Sequence, residues 1–354
     1  MRLFLKEVAL FLIPFVLLAL VAEIRYTKSG GDLNRLGKIP YPKDYRDQFH
    51  EAFNQEKRYH EFSELRLDTV RHVDVLTIGD SFSQQGAYGY QNILVREHGL
   101  NVLNFDYKTF RLENYKPLHF LFQMFNSDVF DHVKPDYIVL QIVERDILRH
   151  LNDLNENKGI TMNVLFEKRK EELTLNEKSQ NSTFRTRMND MELFYRYGLL
   201  YCFNDRAFES SVYKVKLSKP LFSANEDMLL FYNRDISNMN NYSNVENVKQ
   251  FNNILNRLSI ELKALGVDLI VMPCADKYDI YYDYIVNNRH RENLFFENLK
   301  VLPKDYLYID TKAVLKPYID DGVKDVYFAD DTHWSPTATK IIAVKIKNTL
   351  DEND

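Results

Sequence analysis

The run from Tyr137 to Val143 is almost entirely apolar, and it restricts the possible folds more than any other segment of the chain. Such a run is typical of a β-strand that helices cover on both faces, as in a parallel sheet. Earlier strands are predicted at 73–78 and 102–105, each followed by a helical pattern, at 90–98 and 115–125. This alternation predicts an α/β fold with a three-layer, doubly wound, mostly parallel sheet.

The alternation returns in the last third of the chain after a long interruption. The predicted elements there are a helix at 245–265, strands at 267–272 and 306–309, and a last helix after Ser335. Between about residues 148 and 244 no such pattern is present, and a charged run, 167–172, precedes an aromatic segment, 191–203. We interpret 148–244 as an insertion, which is either a lid or substrate platform or only additional structure.

An apolar stretch begins the chain. Residues 8–22 carry no charge, but as a helix they would span only about 22 Å, less than a hydrocarbon core of about 30 Å. Leu3–Ile24 would span about 33 Å if the Lys6 amine reached the interface. We predict an uncleaved membrane anchor at 1–25, with a cleaved signal peptide as the alternative.

The remainder divides into a linker with a helical lead-in, 26–71, and one domain, 72–350. Its composition is ordinary for a globular protein, with 45% hydrophobic and 27% charged residues in the full chain. The net charge of −5 does not indicate a nucleic-acid binder. Two cysteines, Cys202 and Cys274, form neither a disulfide framework nor a zinc pattern, and no histidine pair has metal-ligand spacing. We expect no metal and no cofactor.

Ser81 follows the predicted strand 73–78 directly, within the tetrapeptide GDSF. A serine between a strand and a helix can expose its hydroxyl, and the N–H groups of the helix start point the same way. Those donors would stabilise an oxyanion on a substrate carbonyl. The alternative is that Asp80 and Ser81 only cap the helix.

A histidine with neighbouring carboxylates lies about 250 residues later, in the tetrapeptide DTHW. His333 would act as general base on Ser81 and then as acid toward the leaving group. Asp331 and Asp330 are both near enough to orient the imidazole, and proximity does not choose between them. Trp334 would either contact a sugar or pack in the core, which is the default for tryptophan. The serine and histidine together predict acyl-ester chemistry.

These motifs resemble the SGNH (GDSL-like) hydrolase superfamily, and the DTHW form is similar to its alginate O-acetyltransferase branch. Two further stretches are similar to that branch, namely 273–277 followed by Tyr281, and 139–145. The resemblance covers about 72–145 and 245–350. It implies an SGNH/flavodoxin-like doubly wound sheet.

By this resemblance Ser81 is the nucleophile, His333 the base and Asp331 its partner, because the branch places the aspartate two residues before the histidine. The broader superfamily places it three before, which would select Asp330. Lys277, next to Asp276, would be a substrate contact or part of a structural ion pair.

The chain departs from the family in two respects. In the alginate enzymes the Asp-x-His motif precedes the serine, whereas here it follows. The usual oxyanion glycine after the second strand and asparagine after the third are absent after 102–105 and 137–143. Arg145 could replace the missing donor, since a guanidinium has five N–H groups. The alternative interpretation is that Arg145 forms a salt bridge with Glu144 or Asp146.

With the anchor predicted from the apolar stretch, we expect a single-pass membrane protein, and the chemistry indicates a catalytic domain outside the cytoplasmic membrane. Ser81 would accept acetyl, delivered by a multi-spanning membrane acyltransferase, and transfer it to a hydroxyl of an exported or cell-surface polysaccharide. The alternatives are a carbohydrate O-acetyl esterase with the same triad, and a non-catalytic glycan-binding or assembly protein. A role in teichoic-acid D-alanylation is a further variant.

Overall fold

Two sheets are present in the computed structural model, which describes residues 2–25, 31–39, 43–110, 112, 114–175, 197–208 and 210–353. The strands, in chain order, are β1 (His60–Glu61), β2 (Arg71–Gly79), β3 (Val102–Asn104), β4 (Val133–Val143), β5 (Val212–Lys216), β6 (Met228–Tyr232), β7 (Asp268–Cys274) and β8 (Leu307–Tyr308). Strands β5 and β6 form an antiparallel pair. The other six form one parallel sheet in the order β1-β3-β2-β4-β7-β8.

The order of the strands determines where a ligand site can form. From β2 the chain first adds β3 on one side and then returns past β2 to add β4 on the other. The switch point of the sheet therefore lies between the carboxyl ends of β2 and β4, where α/β proteins bind their ligands. The prediction of an α/β fold with a parallel sheet is confirmed.

Helices connect these strands. They are α1 (Arg2–Arg25), α2 (Asp32–Gly37), α3 (His50–Phe53), α4 (Tyr90–His98), α5 (Pro117–Phe125), α6 (Val129–His132), α7 (Ile147–Leu151), α8 (Met162–Leu175), α9 (Arg234–Ser237), α10 (Met239–Tyr242), α11 (Val245–Lys263), α12 (Lys277–Ile280), α13 (Phe295–Lys300), α14 (Thr311–Asp320) and α15 (Pro336–Asn353). Short 3₁₀ turns follow β2 and β4, at Ser81–Ser83 and Glu144–Asp146.

Strand β4 forms the centre of the core. Every residue from Tyr137 to Val143 is buried, as the apolar run predicts. Its neighbours β2 and β7 are buried over Leu76–Gly79 and Leu269–Cys274. A strand buried on both faces holds its carboxyl end rigidly, so the groups that follow β2 and β4 start from fixed positions.

The region predicted as an insertion contains α8 and the β5–β6 pair. The charged run 167–172 lies in α8. Residues 191–196 of the predicted aromatic segment lie outside the described residues. The lead-in is less helical than predicted, because it forms a 3₁₀ turn, the short helix α3 and the edge strand β1.

The apolar stretch at the N-terminus is helical, as α1. In the described part of the chain, however, no helix combines the length and the apolar character needed to cross a bilayer. The predicted transmembrane anchor at 1–25 is therefore not supported.

Candidate active site

Ser81, His333 and Asp331 form a continuous chain of hydrogen bonds. Ser81 Oγ lies 2.7 Å from His333 Nε2, and Asp331 Oδ1 lies 2.5 Å from His333 Nδ1. The backbone N–H of His333 also donates to Asp331 Oδ1 at 3.1 Å, which holds the carboxylate beside the ring. This geometry is that of a serine nucleophile with a general base and an orienting carboxylate.

Asp80 fixes the turn that carries the serine. Its Oδ1 accepts the Phe82 N–H at 3.0 Å and the Gln141 Nε2–H at 2.9 Å, and its Oδ2 accepts the Val143 N–H at 2.8 Å. The predicted N-cap is thus formed by Asp80, which leaves the Ser81 hydroxyl to His333. Because Gln141 and Val143 belong to β4, Asp80 joins both sides of the switch point.

The charges around the imidazole favour its protonated form. Burial would raise the pKa of Asp331, but His333, their hydrogen bonds and Arg46 together hold that pKa well below its usual range. Burial would lower the pKa of His333, but Asp331 and, to a smaller extent, Asp32 raise it above its ordinary value. An ionised carboxylate beside the ring stabilises the imidazolium that forms when the serine loses its proton.

Comparison with protein families finds a match in the part of the chain that contains His333. Residues 224–353 match the family model described as the SGNH hydrolase-like domain of acetyltransferase AlgX. Over this segment, the chain is similar to the AlgX-type SGNH domain. The match includes Asp331 and His333, whereas Ser81 precedes it. No curated protein and no solved structure matches the chain.

The second candidate carboxylate of the site has a different partner. Asp330 is fully buried, and its oxygens lie 2.6 and 3.1 Å from the guanidinium nitrogens of Arg46. The cation also lies 3.6 Å from the centroid of the Phe328 ring. The structure therefore places Asp331, rather than Asp330, against His333.

Trp334 packs in the core. Its side chain is fully buried, its ring N–H donates to Tyr327 Oη at 2.9 Å, and its ring meets Phe82 edge-on at 5.1 Å. The indole has no accessible surface, so Trp334 cannot contact a sugar, and the prediction that it packs in the core applies. The ring instead supports Phe82, which follows the nucleophile.

Arg145 forms neither of the salt bridges considered from the sequence. Its Nη1 contacts the carboxylates of Asp276 and Asp235, the latter at 3.2 Å. These partners follow β7 and β6, so the interpretation as a pair with Glu144 or Asp146 is wrong. The positive charge of Arg145 only slightly offsets the rise in the His333 pKa that Asp331 and Asp32 cause.

Lys277 lies buried against the backbone of the loop that carries His333. Its ammonium is buried and donates to the carbonyl oxygens of Phe328 at 2.8 Å and Ala329 at 3.3 Å. Burial lowers its pKa to about 8. The predicted ion pair with Asp276 does not form, and the amine has no surface with which to contact a substrate.

Asp32, in the segment predicted as a linker, and Arg46, in the predicted helical lead-in, both belong to the site. Asp32 contacts Thr332, and Arg46 contacts Asp331. Sequence reasoning missed both, because each is a single charged residue in a polar stretch and about 300 residues separate it from its partner.

Asp32 and two members of the triad form a cluster that could present ligand atoms to a cation. Asp32, Asp331 and His333 offer oxygen and nitrogen atoms within 4.8 Å of one another. Both imidazole nitrogens are engaged, however, one with Asp331 and the other with Ser81. We therefore interpret the cluster as a proton-transfer site and assign no metal to it.

Proposed function

We propose that the protein is a serine O-acetyltransferase that acetylates hydroxyls of an exported or cell-surface polysaccharide. The observation that carries this proposal is the hydrogen-bonded series Ser81–His333–Asp331, of which the last two residues lie within the segment similar to the AlgX domain. The family description supports acetyl transfer as the reaction class.

The first half-reaction forms an acetyl-enzyme. Ser81 Oγ attacks the carbonyl carbon of the donor while His333 Nε2 takes the hydroxyl proton, and Asp331 stabilises the imidazolium. The tetrahedral intermediate collapses when the bond to the donor's leaving group breaks and His333 returns the proton to that group. Acetyl-Ser81 remains.

The second half-reaction reverses these roles. A sugar hydroxyl gives its proton to His333 Nε2 and attacks the acetyl carbonyl, and the Ser81 oxygen leaves with the proton from His333. The acceptor gains one acetyl group and the enzyme is restored. If water replaces the sugar, the same steps release acetate, which is the esterase alternative.

The oxyanion of both intermediates needs backbone or side-chain donors. The 3₁₀ turn Ser81–Ser83 begins at the nucleophile, so the Ser81 N–H is a donor that a helix start leaves without an intrahelical acceptor. We retain Arg145 as the candidate second donor, because a guanidinium carries more N–H groups than Asp235 and Asp276 engage.

An open groove supports a glycan acceptor. It has a volume of about 580 Å³, within the usual range for ligand sites. Its lining includes Leu112, Tyr115, Lys116, His119, Phe120, Lys158, Ile160, Val164 and Lys168. We call it the basic groove. The ring of Tyr115, which lines the groove, stacks on Tyr107 at 4.4 Å. The cations of the groove, Lys116, Lys158 and Lys168, suit an acidic polysaccharide.

The donor and the location complete the proposal. We propose that a multi-spanning membrane acyltransferase delivers the acetyl group and that the SGNH domain acts outside the cytoplasmic membrane, where such an acceptor lies. Both rest on the resemblance to the alginate O-acetyltransferase branch; the family description itself names only an acetyltransferase.

The deciding experiment detects the acetyl-enzyme. Purified protein is mixed with a chromogenic acetate ester, and the covalent intermediate is sought by intact mass and peptide mapping, in the wild type and in Ser81→Ala. We expect one acetyl group on Ser81 and none on the variant. Acceptor glycan is then added: acetylated sugar supports the transferase, and acetate alone supports the esterase. No acylation of Ser81 would favour a binding or assembly protein.

A further inference from the structure

The segment that begins at Gly31 lies directly against the loop that carries the triad carboxylate. Gly31 is so close to Asp330 that a Cβ on it would overlap the Asp330 carbonyl. The Asn34 N–H donates to that carbonyl at 3.3 Å, and the Asp32 N–H donates to Asp331 Oδ2 at 3.2 Å. The N-terminal segment therefore forms one wall of the site.

The side chain of Asp32 holds the residue between the two triad members. Its Oδ1 accepts the Thr332 N–H at 2.9 Å, and its Oδ2 accepts the Thr332 hydroxyl at 2.7 Å. The same hydroxyl lies 3.4 Å from His333 Nδ1. Two hydrogen bonds from one carboxylate fix Thr332 in position and orientation, and therefore the backbone that leads from Asp331 to His333.

Arg46 completes the environment of the triad carboxylate from the other side. Its Nη2 lies 3.4 Å from Asp331 Oδ2 and 2.6 Å from Asp330 Oδ1. Asp331 Oδ2 thus accepts the Asp32 N–H and faces the Arg46 cation, which leaves Oδ1 for the imidazole. A carboxylate whose outer oxygen is held in this way cannot rotate freely away from the base.

We propose that Asp32 and Arg46 are positioning residues for the acyl transfer, and that the N-terminal segment is an integral part of the catalytic centre. This inference rests on the proposed function. Asp32 holds the loop and places a second negative charge near the imidazolium, and Arg46 keeps Asp331 ionised and oriented. Neither side chain needs to touch the reacting atoms.

The two residues have opposite charges, so their removal leaves different signatures. Burial lowers the pKa of His333, while Asp331 and Asp32 raise it and Arg145 lowers it. Loss of the Asp32 charge should move the acidic limb of kcat/KM to lower pH. Loss of the Arg46 cation, which faces Asp331, should move it to higher pH. A defect of folding alone would not produce opposite shifts.

The test compares the full-length variants Asp32→Asn and Arg46→Gln with wild type. Hydrolysis of a chromogenic acetate ester is measured from pH 5 to 9, together with the rate of Ser81 acetylation. Asp44→Asn and Arg66→Gln, at exposed positions of the lead-in, are the matched controls. We expect kcat to fall about ten-fold in each test variant, part of the 10²–10⁴ that a positioned base contributes, with KM nearly unchanged.

Two further measurements keep the inference falsifiable. Circular dichroism checks that Asp32→Asn folds. If it does not, Thr332→Val replaces it, because valine removes the hydroxyl that Asp32 binds without changing the charge. We then expect a lower kcat and no shift of the acidic limb of kcat/KM. Wild-type kcat in the test variants, or limbs that move together, would overturn the inference and leave Ser81 chemistry intact. A wild type without Ser81 acetylation would instead overturn the proposed function, and this inference with it.

Discussion

Gly79 pairs with Gln141 across β2 and β4, and the Gln141 side-chain oxygen occupies the space that a Cβ on Gly79 would need. That oxygen accepts hydrogen bonds from the Asp80 N–H at 3.1 Å and the Ser83 hydroxyl at 2.9 Å. One glycine therefore allows a buried amide to organise the turn on either side of Ser81. The position of the nucleophile depends on this close approach of the two strands.

A methyl group at this position should disturb both stability and activity. In Gly79→Ala the added carbon would meet Ser83 Oγ and Gln141 Oε1, so the amide or the turn must move. We expect unfolding free energy to fall by about 1–3 kcal/mol, as for overpacked cores, and ester hydrolysis to fall with it.

Thermal melts and kcat measure the two effects of Gly79→Ala. Gly198→Ala is the matched control, because a Cβ there meets nothing within 4 Å. Equal behaviour of the two variants would contradict the role of the Gly79–Gln141 contact.

The pH dependence of the acyl transfer follows from His333. The base must be neutral to take the Ser81 proton, and its folded-state pKa is raised above 6.5 because Asp331 outweighs burial. Activity should therefore be lost as pH falls through a value above 6.5, while Asp331, whose pKa is lowered, stays ionised. The kcat/KM profile for the chromogenic ester measures this limb. A limb well below pH 6.5 would show that burial dominates.

The sheet and its nucleophile could be predicted because their signals are local. The run 137–143 is apolar since both faces of β4 are buried, and a serine after a strand is a pattern within ten residues. His333 was found through its immediate neighbours. Such local patterns can be read from the sequence because the backbone geometry of a strand or helix sets the spacing of its buried residues.

The supporting contacts could not be predicted because they join segments with no shared pattern. Arg145 has acidic neighbours in the chain, yet its observed partners are Asp235 and Asp276, about 90 and 130 residues away. Asp32 reaches Thr332 across 300 residues. The pairing of a given cation with one of many carboxylates depends on how the loops cross in space. The charge composition of the sequence does not determine this pairing.

Arg145 can be tested as a structural cation and as an oxyanion donor in one series. Arg145→Gln leaves the carboxylates of Asp235 and Asp276, both buried, without their partner, and we expect a loss of about 3–5 kcal/mol of stability. Adding Asp235→Asn and Asp276→Asn should restore the melting temperature, because no unpaired buried charge remains.

The activity of that restored triple variant separates the two roles. If Arg145 stabilises the oxyanion, kcat stays at least about 100-fold below wild type, the usual cost of one donor. The Asp235→Asn/Asp276→Asn double variant, which keeps the arginine, is the control. Recovery of kcat in the triple variant to the level of this double variant would show that the arginine is only structural.

The basic groove makes a prediction for the acceptor alone. Lys158 and Lys168 line it, and neither contacts the triad. Lys158 is exposed and Lys168 half-buried, so each charge contributes at most about 1 kcal/mol, and Lys158→Gln/Lys168→Gln should raise KM for an acidic polysaccharide several-fold. Hydrolysis of the small ester should not change. The effect should weaken as salt rises from 0.05 to 0.5 M, because the Debye length shortens.

Matched substitutions decide whether the groove itself matters. Lys300 and Lys324 are exposed elsewhere on the domain, so Lys300→Gln/Lys324→Gln removes the same charge without altering the groove. A similar rise of KM in both double variants would mean that only net charge attracts the polymer. A rise confined to the groove variant would place the acceptor in the basic groove.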